Sequence, residues 1–348
     1  VIGVMTAWFL RERGLSVLLC EKGRIAGEQS SRNWGWVRQQ GRDPGELPIM
    51  VESLSIWKSL AADLGEGLGF RQTGVLYLAK TETEIEAFEA WTEHSRAHRL
   101  DTRLLTAPET MAMLKGAAAP WKGALWTASD ARAEPWVAVP ALAAAAAAKG
   151  VAIRESCAVR GLDIAAGRVA GVVTEAGRVA CDHVVVAAGA WSRLFLGRHG
   201  IRIPQLSVLA SVAATEPMPE IFPGNAADDD FAFRRRADGG YSIASGGQHD
   251  FFIGRDAFAS FGCYLSVLRK SFRSTTFRAA APKGFPDAWG TPRRWSMDSE
   301  SPFERLRVLN PAPNMTTLAG VQDAFASAFP TLGRPRLTSA WAGMIDGL

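Results

Sequence analysis

Two residues near the start of the chain, Gly3 and Glu21, have the types and spacing that dinucleotide binding requires. Glu21 follows Gly3 by 18 residues, about the length of one helix plus one short strand. A glycine at a strand-to-helix turn lets the backbone approach a pyrophosphate, and an acid after the next strand can bind ribose hydroxyls. An ordinary glycine near a helix start and a solvated glutamate would explain the pair equally well, so both interpretations stay open.

Two further segments could contact a cofactor. EQSSRNWGWVR (Glu28–Arg38) places two hydroxyls, an arginine and an asparagine beside Gly35, and such a loop can donate hydrogen bonds to a diphosphate or a flavin ring. VVVAAGAWS (Val184–Ser192) predicts a buried central strand whose small terminal residues leave room for a ligand. A surface loop anchored by a tryptophan, and a strand that ends in a tight turn, are the structural alternatives.

The elements that would position these residues follow from hydrophobic periodicity. Residues 4–13 predict a helix that ends at Gly14, and Val17–Lys22 predict a buried parallel strand. Further predicted helices cover residues 49–64, 81–99, 137–149, 257–272 and 317–328, and residues 206–215 and 231–244 alternate as antiparallel strands do. The fold class is therefore α/β, a doubly wound domain that is interrupted by insertions with an antiparallel sheet.

Composition narrows the class of protein. The 348 residues are 47% hydrophobic, and the net charge of +4 is spread along the chain, which is weak support for nucleic-acid binding. Four widely spaced cysteines and a histidine pair, His94 and His98, on a polar helix predict no metal site and favour a reducing, cytoplasmic compartment. The alanine-rich run at Ala138–Ala148 is too short to span a bilayer.

The first residue is not Met, so we expect an upstream segment to be missing.

Four segments in this order make the chain resemble a known family. They are GLSVLLCEKGRIAGEQSSRNWGWVRQQG, SDARAEPWVAVPALAAAAAAKGVAI, CDHVVVAAGAWSRLF and SAWAGMID. Together they resemble the D-amino-acid oxidase-like family of FAD-dependent oxidoreductases, which includes glycine oxidase, sarcosine oxidase and D-amino-acid dehydrogenases. The resemblance implies a Rossmann-like FAD-binding domain interleaved with an antiparallel-sheet substrate domain.

The resemblance also implies which residues contact FAD. Gly3 would be the third glycine of the fingerprint, Glu21 would hold the adenosine ribose, and Asp346 matches the acid just before the last flavin-contact segment. The remaining implied cofactor-binding residues are Lys22, Ser30, Ser31, Arg32, Asn33, Trp34, Gly35, Val159, Ala187, Ala188, Gly189 and Trp191. The first two fingerprint glycines and the glycine-rich segment that follows WAGMID in the family are absent, so we expect a fragment that is cut at both ends of the FAD-binding domain.

Basic residues supply candidates for binding a substrate carboxylate. FAFRRRADGGYSIASGG (Phe231–Gly247) predicts a hairpin in which strand alternation places Arg234 and Arg236 on one face, with Tyr241 or His249 nearby. A planar guanidinium suits a carboxylate. A solvated edge strand is the alternative, and Arg38 in the preceding loop is a competing candidate.

The resulting hypothesis is an FAD-dependent oxidase or dehydrogenase that oxidises the C–N bond of an amino acid or secondary amine by hydride transfer to flavin N5. The electron acceptor would be oxygen or a quinone, nucleic acid is not a partner, and membrane association stays open. An NAD(P)-dependent dehydrogenase and an inactive remnant of the flavoenzyme fold are the alternatives. We expect residues 1–70, 131–205 and 301–348 to form the FAD-binding domain, and residues 71–130 and 206–300 the substrate-binding domain.

Overall fold

The computed structural model describes residues 1–347, apart from the side chains of residues 270, 271, 273 and 347. Its helices are α1 (Ile2–Glu12), α2 (Gln29–Arg32), α3 (Leu47–Leu64), α4 (Glu82–Ala97), α5 (Ala107–Met113), α6 (Pro135–Ala148), α7 (Ser192–Arg198), α8 (Arg255–Ala259), α9 (Phe261–Ser271), α10 (Pro302–Arg305) and α11 (Met315–Ala328). Single 3₁₀ turns cover Gly65–Leu68, Gly189–Trp191 and Phe272–Ser274.

The strands form four sheets within this range. They are β1 (Leu18–Cys20), β2 (Trp36–Val37), β3 (Val75–Ala79), β4 (Thr102–Thr106), β5 (Gly123–Thr127), β6 (Ala131–Arg132), β7 (Ala152–Arg154), β8 (Val159–Ala165), β9 (Arg168–Thr174), β10 (Gly177–Ala180), β11 (Leu206–Thr215), β12 (Asn225–Ala227), β13 (Ala232–Arg235), β14 (Tyr241–Ala244), β15 (His249–Phe252), β16 (Thr275–Arg278) and β17 (Leu337–Gly347).

Local sequence signals explain where several helices begin. Thr81 and Glu84 form a capping box at the start of α4, and the Asn314 side chain accepts a hydrogen bond from the Thr317 N–H at the start of α11. Pro135 opens α6, where a missing N–H costs nothing, and the following alanines favour the helix. The predicted helices at 4–13, 49–64, 81–99, 137–149 and 317–328 accordingly correspond to α1, α3, α4, α6 and α11.

The largest sheet is mixed and has the order β16-β15-β11-β14-β13-β12-β3-β5-β4, with β17 paired along the other edge of β11. Its β12–β3 and β15–β16 pairs are parallel and the other pairs are antiparallel. One face buries Phe233 and Tyr241 against Val321 and Phe325 of α11. The opposite face carries Val212, Ala214, Ala244 and Trp341, which pack against Trp34.

The Rossmann-like part consists of α1 and α6 around a parallel pair of strands. Leu18, Leu19 and Cys20 of β1 pair with the three residues of β7, so the parallel strand predicted at Val17–Lys22 is confirmed in a shorter form. Its predicted burial is wrong, because Leu18 is 38% exposed and no residue of β1 is buried. Val4 and Trp8 of α1 pack against the apolar side of α6. Together with the large mixed sheet, this pair gives the α/β class with an antiparallel-rich second sheet.

The predicted buried strand at Val184–Ser192 is wrong. Val184–Ala188 runs without a strand assignment, Val185 is 60% exposed, and the chain then turns through the 3₁₀ segment Gly189–Trp191 into α7. A strand needs a hydrogen-bonded neighbour, and β1 is paired only with β7 among the described residues.

Two other expectations differ in detail. The predicted helix at 257–272 is divided into α8 and α9 at the buried Ser260, and the final residues form the long strand β17. β17 pairs with β11 from residue 337 onward, so the predicted third segment of the FAD-binding domain also supplies a strand to the sheet of the predicted substrate domain.

Candidate active site

The first turn of α1, the end of β1 and the start of α2 meet at one point. The nitrogen of Val1 donates a hydrogen bond to Ser30 Oγ over 2.6 Å and lies near Glu21. The N–H groups in the first turn of α1 have no partners within the helix, as at any helix N-terminus, and no side chain of a described residue caps them. An uncapped helix N-terminus of this kind favours an anion such as a phosphate.

Glu21 lies at this point with one carboxylate oxygen available. The Gly23 N–H donates to Glu21 Oε1 over 2.7 Å, while Oε2 accepts no hydrogen bond from a described residue. Burial raises the pKa of Glu21, because the charged form is partly removed from water. A half-buried acceptor beside a helix N-terminus fits a ligand that presents a hydroxyl next to a phosphate.

The segment at residues 187–189 reaches the same helix from the other side. A Cβ atom added to Gly3 would lie 3.4 Å from the Ala187 Cβ, so the two segments approach to van der Waals distance. The Gln205 Nε2 group donates to the Gly189 carbonyl over 2.9 Å and to Asp346 Oδ2 over 3.1 Å. Gly3 therefore lies beside Ala187, and Gln205 connects Gly189 to Asp346 near the end of β17, so these segments lie in one region with Glu21.

The short helix α2 is fastened to β17 by Arg32. This buried guanidinium donates to the carbonyls of Gly27 and Ala342 and to Asn310 Oδ1, the last over 2.5 Å. Burial lowers the pKa of Arg32, in spite of the nearby Glu28. Because protein oxygens accept these hydrogen bonds, the Arg32 guanidinium orients the loop and does not extend toward a ligand.

The buried amide oxygen Oε1 of Gln29 has no hydrogen-bond partner among the described residues. A Cβ atom added to Gly343 of β17 would lie 2.0 Å from this oxygen, so the Gln29 amide packs against the backbone of β17.

Asn33 and Gly35 shape the turn after α2. The Asn33 side chain donates to the Ser30 carbonyl over 2.9 Å and accepts from the Gly35 N–H over 2.7 Å. Gly35 has φ of +79°, and a Cβ there would lie 2.5 Å from the Ala133 carbonyl oxygen. The turn therefore presents Trp34 against the large sheet and depends on the absence of a side chain at residue 35.

Arg234, a predicted substrate-binding residue, has its guanidinium groups satisfied within the protein. The residue is 1% exposed and forms a bidentate pair with Glu134, at 2.7 and 3.0 Å, while its Nε donates to the Trp34 carbonyl over 2.7 Å. Arg234 lies on the sheet face that meets Trp34, but it holds the loop in place instead of offering an open cation.

The expected proximity of Tyr241 to Arg234 is wrong. Arg234 pairs across the strands with Ser242, so the neighbouring Tyr241 points to the opposite face and packs against α11. Its hydroxyl donates to the Pro219 carbonyl and accepts from the Ile221 N–H.

The other two arginine candidates also have partners. Arg236 pairs with Asp238 in the hairpin turn over 2.6 Å. Arg38 donates to the Gln40 carbonyl over 2.5 Å and lies 5.6 Å above the ring of Tyr77. Of the four predicted candidates, Arg38 lies on the loop that carries Trp34, and its Nε and Nη2 donate no hydrogen bond to a described residue.

Lys22 and Trp191 meet at Glu28, which the sequence analysis did not single out. Glu28 accepts from Lys22 Nζ over 2.5 Å, from Trp191 Nε1 over 3.0 Å and from the Leu309 N–H over 2.9 Å. Lys22 also lies 4.4 Å above the Trp191 ring. Lys22 and Trp191 therefore stabilise the loop through their contacts with Glu28.

Val159 lies at the start of β8, two residues after Cys157, whose N–H donates to the Glu21 carbonyl.

Asp130 is a second buried acid that the sequence did not reveal. Its carboxylate accepts from the backbone N–H groups of Gln39 and Gln40 over 2.8 and 3.1 Å. Burial raises the pKa of Asp130 to about 6, although these hydrogen bonds act in the opposite sense. A single Asp before a short strand carries no pattern, so only the folded chain shows that it holds the end of the loop.

Comparisons with known proteins agree with this geometry. A family model described as "FAD dependent oxidoreductase" matches residues 1–348. The beta subunit of sarcosine oxidase from Rhodobacter capsulatus is 24% identical over 257 residues, which cover 72% of this chain and 62% of the relative. Glycine oxidase from Pseudomonas putida is 31% identical over 214 residues, which cover 59% of this chain and 57% of the relative. The chain thus spans less than two thirds of the length of either relative.

A solved structure covers nearly the whole chain. The L-amino acid deaminase from Proteus myxofaciens, determined in complex with anthranilate, superposes with a TM-score of 0.92 at 28% identity and covers 99% of this chain and 77% of its own. The shared fold extends over both the Rossmann-like part and the large mixed sheet.

Proposed function

Because the chain belongs to the family of FAD-dependent oxidoreductases, we propose that it binds FAD and oxidises the C–N bond of an amino acid or secondary amine. The observation that carries the proposal is the convergence of Glu21, the uncapped N-terminus of α1 and the segment at 187–189. Glycine oxidase and L-amino acid deaminase, to which the chain is similar, act on amino acids as their names state, and sarcosine oxidase on a secondary amine.

The proposed cofactor contacts divide into two groups. Gly3, Glu21 and Ser30 would face the adenosine and pyrophosphate, because they surround the uncapped helix N-terminus. The residues proposed to lie along the rest of the cofactor are Ser31, Asn33, Trp34, Gly35, Val159, Ala187, Ala188 and Gly189. Lys22, Arg32 and Trp191 would act through the loop that they fasten, since protein groups occupy their polar atoms.

Bound FAD would supply, at its N5 atom, the acceptor for the hydride that leaves the carbon bearing the amine. The chain's own residues would bind the cofactor and orient the substrate. Trp34 and Trp341, with Val212 and Ala244, form an apolar wall that excludes water. Arg38 remains the proposed partner of a substrate carboxylate, because the guanidinium of Arg234 is already paired with Glu134. The proposed electron acceptor is oxygen or a quinone.

We also propose that residues 1–70, 131–205 and 301–348 form the FAD-binding domain and that residues 71–130 and 206–300 form the substrate-binding domain. The pairing of β1 with β7 supports the first grouping, and the continuous sheet from β4 to β16 supports the second. No helix in residues 1–347 is long and apolar enough to cross a membrane, and these residues contain no cluster of acids, histidines or cysteines suited to a metal ion.

The test is cofactor binding followed by turnover. The purified chain is incubated with FAD, freed of excess ligand and examined by visible absorption, and amino acids and secondary amines are then screened with an artificial electron acceptor. We expect a flavin spectrum, and Glu21→Gln should reduce FAD affinity by about tenfold or more because a charged hydrogen-bond acceptor is lost. Glu12→Gln, at the far end of α1, is the matched control.

The outcomes separate the alternatives. Absorption of bound flavin without turnover on any amine would support an inactive remnant and reject the reaction. Retention of NAD(P) in place of FAD would reject FAD as the cofactor and favour a nicotinamide-dependent dehydrogenase.

A further inference from the structure

Gln205, in the loop between α7 and β11, has its side-chain amide buried beside the turn at residues 187–189. The residue is 4% exposed. Its Nε2 donates to the Gly189 carbonyl over 2.9 Å, and its Oε1 accepts from the Arg193 N–H over 3.1 Å. In a continuous α-helix the groups at positions 189 and 193 would bond to each other. The Gln205 amide contacts both members of such a pair, which requires a side chain that carries a donor and an acceptor.

The contact lies where the backbone changes conformation. Gly189 has φ of +51°, and the chain passes there from the segment 184–188 through a 3₁₀ turn into α7. The N–H groups of residues 184–188 form no hydrogen bond with a described residue. The turn is instead held by the indole N–H of Trp191, which donates to Glu28, and by the Gln205 amide. Loss of the amide should therefore release one side of the turn.

The Gln205 amide is itself held by two neighbours. Arg193 Nη1 donates to the Gln205 backbone carbonyl over 2.9 Å, and Arg193 Nε pairs with Asp256 over 3.0 Å. Gln205 Nε2 also donates to Asp346 Oδ2 over 3.1 Å. Asp346 pairs with Ser207 in the β11–β17 ladder, so the large sheet fixes its position. The amide thus connects the turn to an ion pair and to the sheet.

We propose that Gln205 is a positioning residue that holds the turn at residues 187–189 toward the N-terminus of α1 and thereby sets the affinity for the dinucleotide. The inference rests on the proposed function, because it takes FAD to be the ligand at this turn. A Cβ added to Gly3 of α1 would lie 3.4 Å from the Ala187 Cβ, so a small movement of the turn changes the gap beside the helix N-terminus. Gln205 acts through the Gly189 carbonyl and is not itself a ligand of the cofactor.

Two substitutions separate the donor of Gln205 from its acceptor. Gln205→Glu keeps an acceptor for the Arg193 N–H and removes the donor to the Gly189 carbonyl, whereas Gln205→Leu removes both. Each should raise the FAD dissociation constant of the full chain by about tenfold at about pH 8, measured by quenching of flavin fluorescence. The matched control is Gln322→Glu in α11, where the same change removes a donor to the Pro335 carbonyl. The control should bind FAD as the original chain does.

A change of pH tests whether the hydrogen bond itself is responsible. A protonated carboxyl regains an O–H donor, so acid should restore the contact in Gln205→Glu but not in Gln205→Leu. The charged groups around this side chain are Asp346 and Arg193, and Arg193 is paired with Asp256. The Asp346 carboxylate therefore raises the pKa of the introduced carboxyl. The hydroxyl of Tyr264, which donates to the carbonyl of the residue before Gln205, stays neutral in this range.

The comparison is made with the original chain at the same pH, so that titration of other groups cancels. Between about pH 8 and about pH 5, the FAD dissociation constant of Gln205→Glu should fall from about tenfold above the original value to within about threefold. Gln205→Leu should stay about tenfold above it throughout. A purely structural role of Gln205 would not produce this difference between the two variants.

Hydrogen exchange tests the position of the turn without FAD. In Gln205→Leu, peptides that cover residues 189–193 should exchange at least about tenfold faster than in the original chain, because the turn has lost its support. The β8–β9 hairpin and the Gln322→Glu control should keep the original exchange pattern. Thermal unfolding checks that each variant is folded, and Gln205→Glu, which preserves the shape of the side chain, provides the same measurement should Gln205→Leu unfold.

Three results would overturn the proposal. They are FAD dissociation constants within about twofold of the original for both variants, the same acid dependence for both variants, and unchanged exchange at residues 189–193. If the original chain binds no FAD, the proposed function fails and the effect on affinity fails with it. The exchange measurement then decides by itself whether Gln205 holds the turn.

Discussion

Gly35 combines a left-handed backbone with close neighbours on two sides. Its φ is +79°, and an added Cβ would lie 2.5 Å from the Ala133 carbonyl oxygen and 2.7 Å from Arg234 Nε. Gly35→Ala should therefore lower the free energy of unfolding by about 2–4 kcal/mol, as measured by urea denaturation. Gly67→Ala is the control, because Gly67 has open space around its Cβ position. Equal stability of the two variants would show that the turn is not constrained.

The buried pair Arg234–Glu134 makes a second residue-scale prediction. The two side chains are 1% and 10% exposed, so Glu134→Gln leaves the guanidinium without its counter-charge. We expect a loss of about 3–5 kcal/mol in the free energy of unfolding. The exposed pair Lys122–Glu82 is the control, and Glu82→Gln should change stability by less than about 1 kcal/mol. A small effect at Glu134 would mean that Arg234 finds another partner.

Asp130 predicts a pH dependence of stability. An unfolded aspartate titrates at about 3.9, whereas burial raises the pKa of Asp130 to about 6 in the fold. Between these values the folded chain binds more protons than the unfolded chain, so the contribution of Asp130 to the free energy of unfolding falls as the pH rises from about 4 to about 6. The expected change is roughly 2–3 kcal/mol.

Urea denaturation between these pH values, with Asp130→Asn, measures the change. The variant should show a flatter dependence on pH than the original chain, whatever its absolute stability. Burial also raises the pKa of Asp287 to about 6. The variant Asp287→Asn therefore measures how much of the pH dependence of the free energy of unfolding comes from Asp287. Parallel pH curves for the original chain and Asp130→Asn would contradict the assignment.

Individual site residues differ in how far the sequence could reveal them. The placement of Gly3 in α1 and of Glu21 directly after β1 was predictable, because their spacing matches one helix and one strand. Glu134 and Gln205 were not, since each acts on a residue that is distant in the chain, Arg234 in one case and Asp346 in the other. Burial of Arg234 likewise depends on the loop that covers it, and alternation along β13 predicts the direction of the side chain but not its partner.

At the scale of elements, periodicity and capping predict helices better than strands. The ends of α4 and α11 are set by neighbouring residues, Thr81 with Glu84 and Asn314 with Thr317, so local sequence is sufficient. A strand depends on a partner elsewhere. The apolar run at Val184–Ala188 has the composition of a strand but no paired neighbour among the described residues, and β17 becomes a strand through β11.

Hydrogen exchange tests this difference between the two segments. The backbone N–H groups of residues 184–188 form no hydrogen bond with a described residue, whereas β11 is paired on both edges. We expect the amides of 184–188 to exchange much faster than those of β11, as resolved by mass spectrometry of peptides. Added FAD should slow exchange at 187–189 and leave the β8–β9 turn at residues 166–167 unchanged. Strong protection of 184–188 without ligand would contradict the open arrangement.

At the scale of the whole molecule, the proposed cofactor contacts come from distant parts of the chain. They lie at residues 3–35, at Val159 and at residues 187–189, and β17 joins the last of these to the large sheet through Asp346 and Gln205. A ligand that binds only when these segments are assembled stabilises the fold as a unit. At a free concentration one hundred times the dissociation constant, the expected gain is about 2.7 kcal/mol.

Thermal unfolding with and without FAD measures this gain. For a domain of this size a gain of that order corresponds to a rise of roughly 5 °C in the unfolding temperature. Glu21→Gln should reduce the rise, because it removes the acceptor beside the N-terminus of α1, while Glu12→Gln should preserve it. NAD at the same concentration should produce no shift. A shift with NAD and none with FAD would assign the site to a nicotinamide cofactor, because the helix N-terminus and the acid serve either dinucleotide.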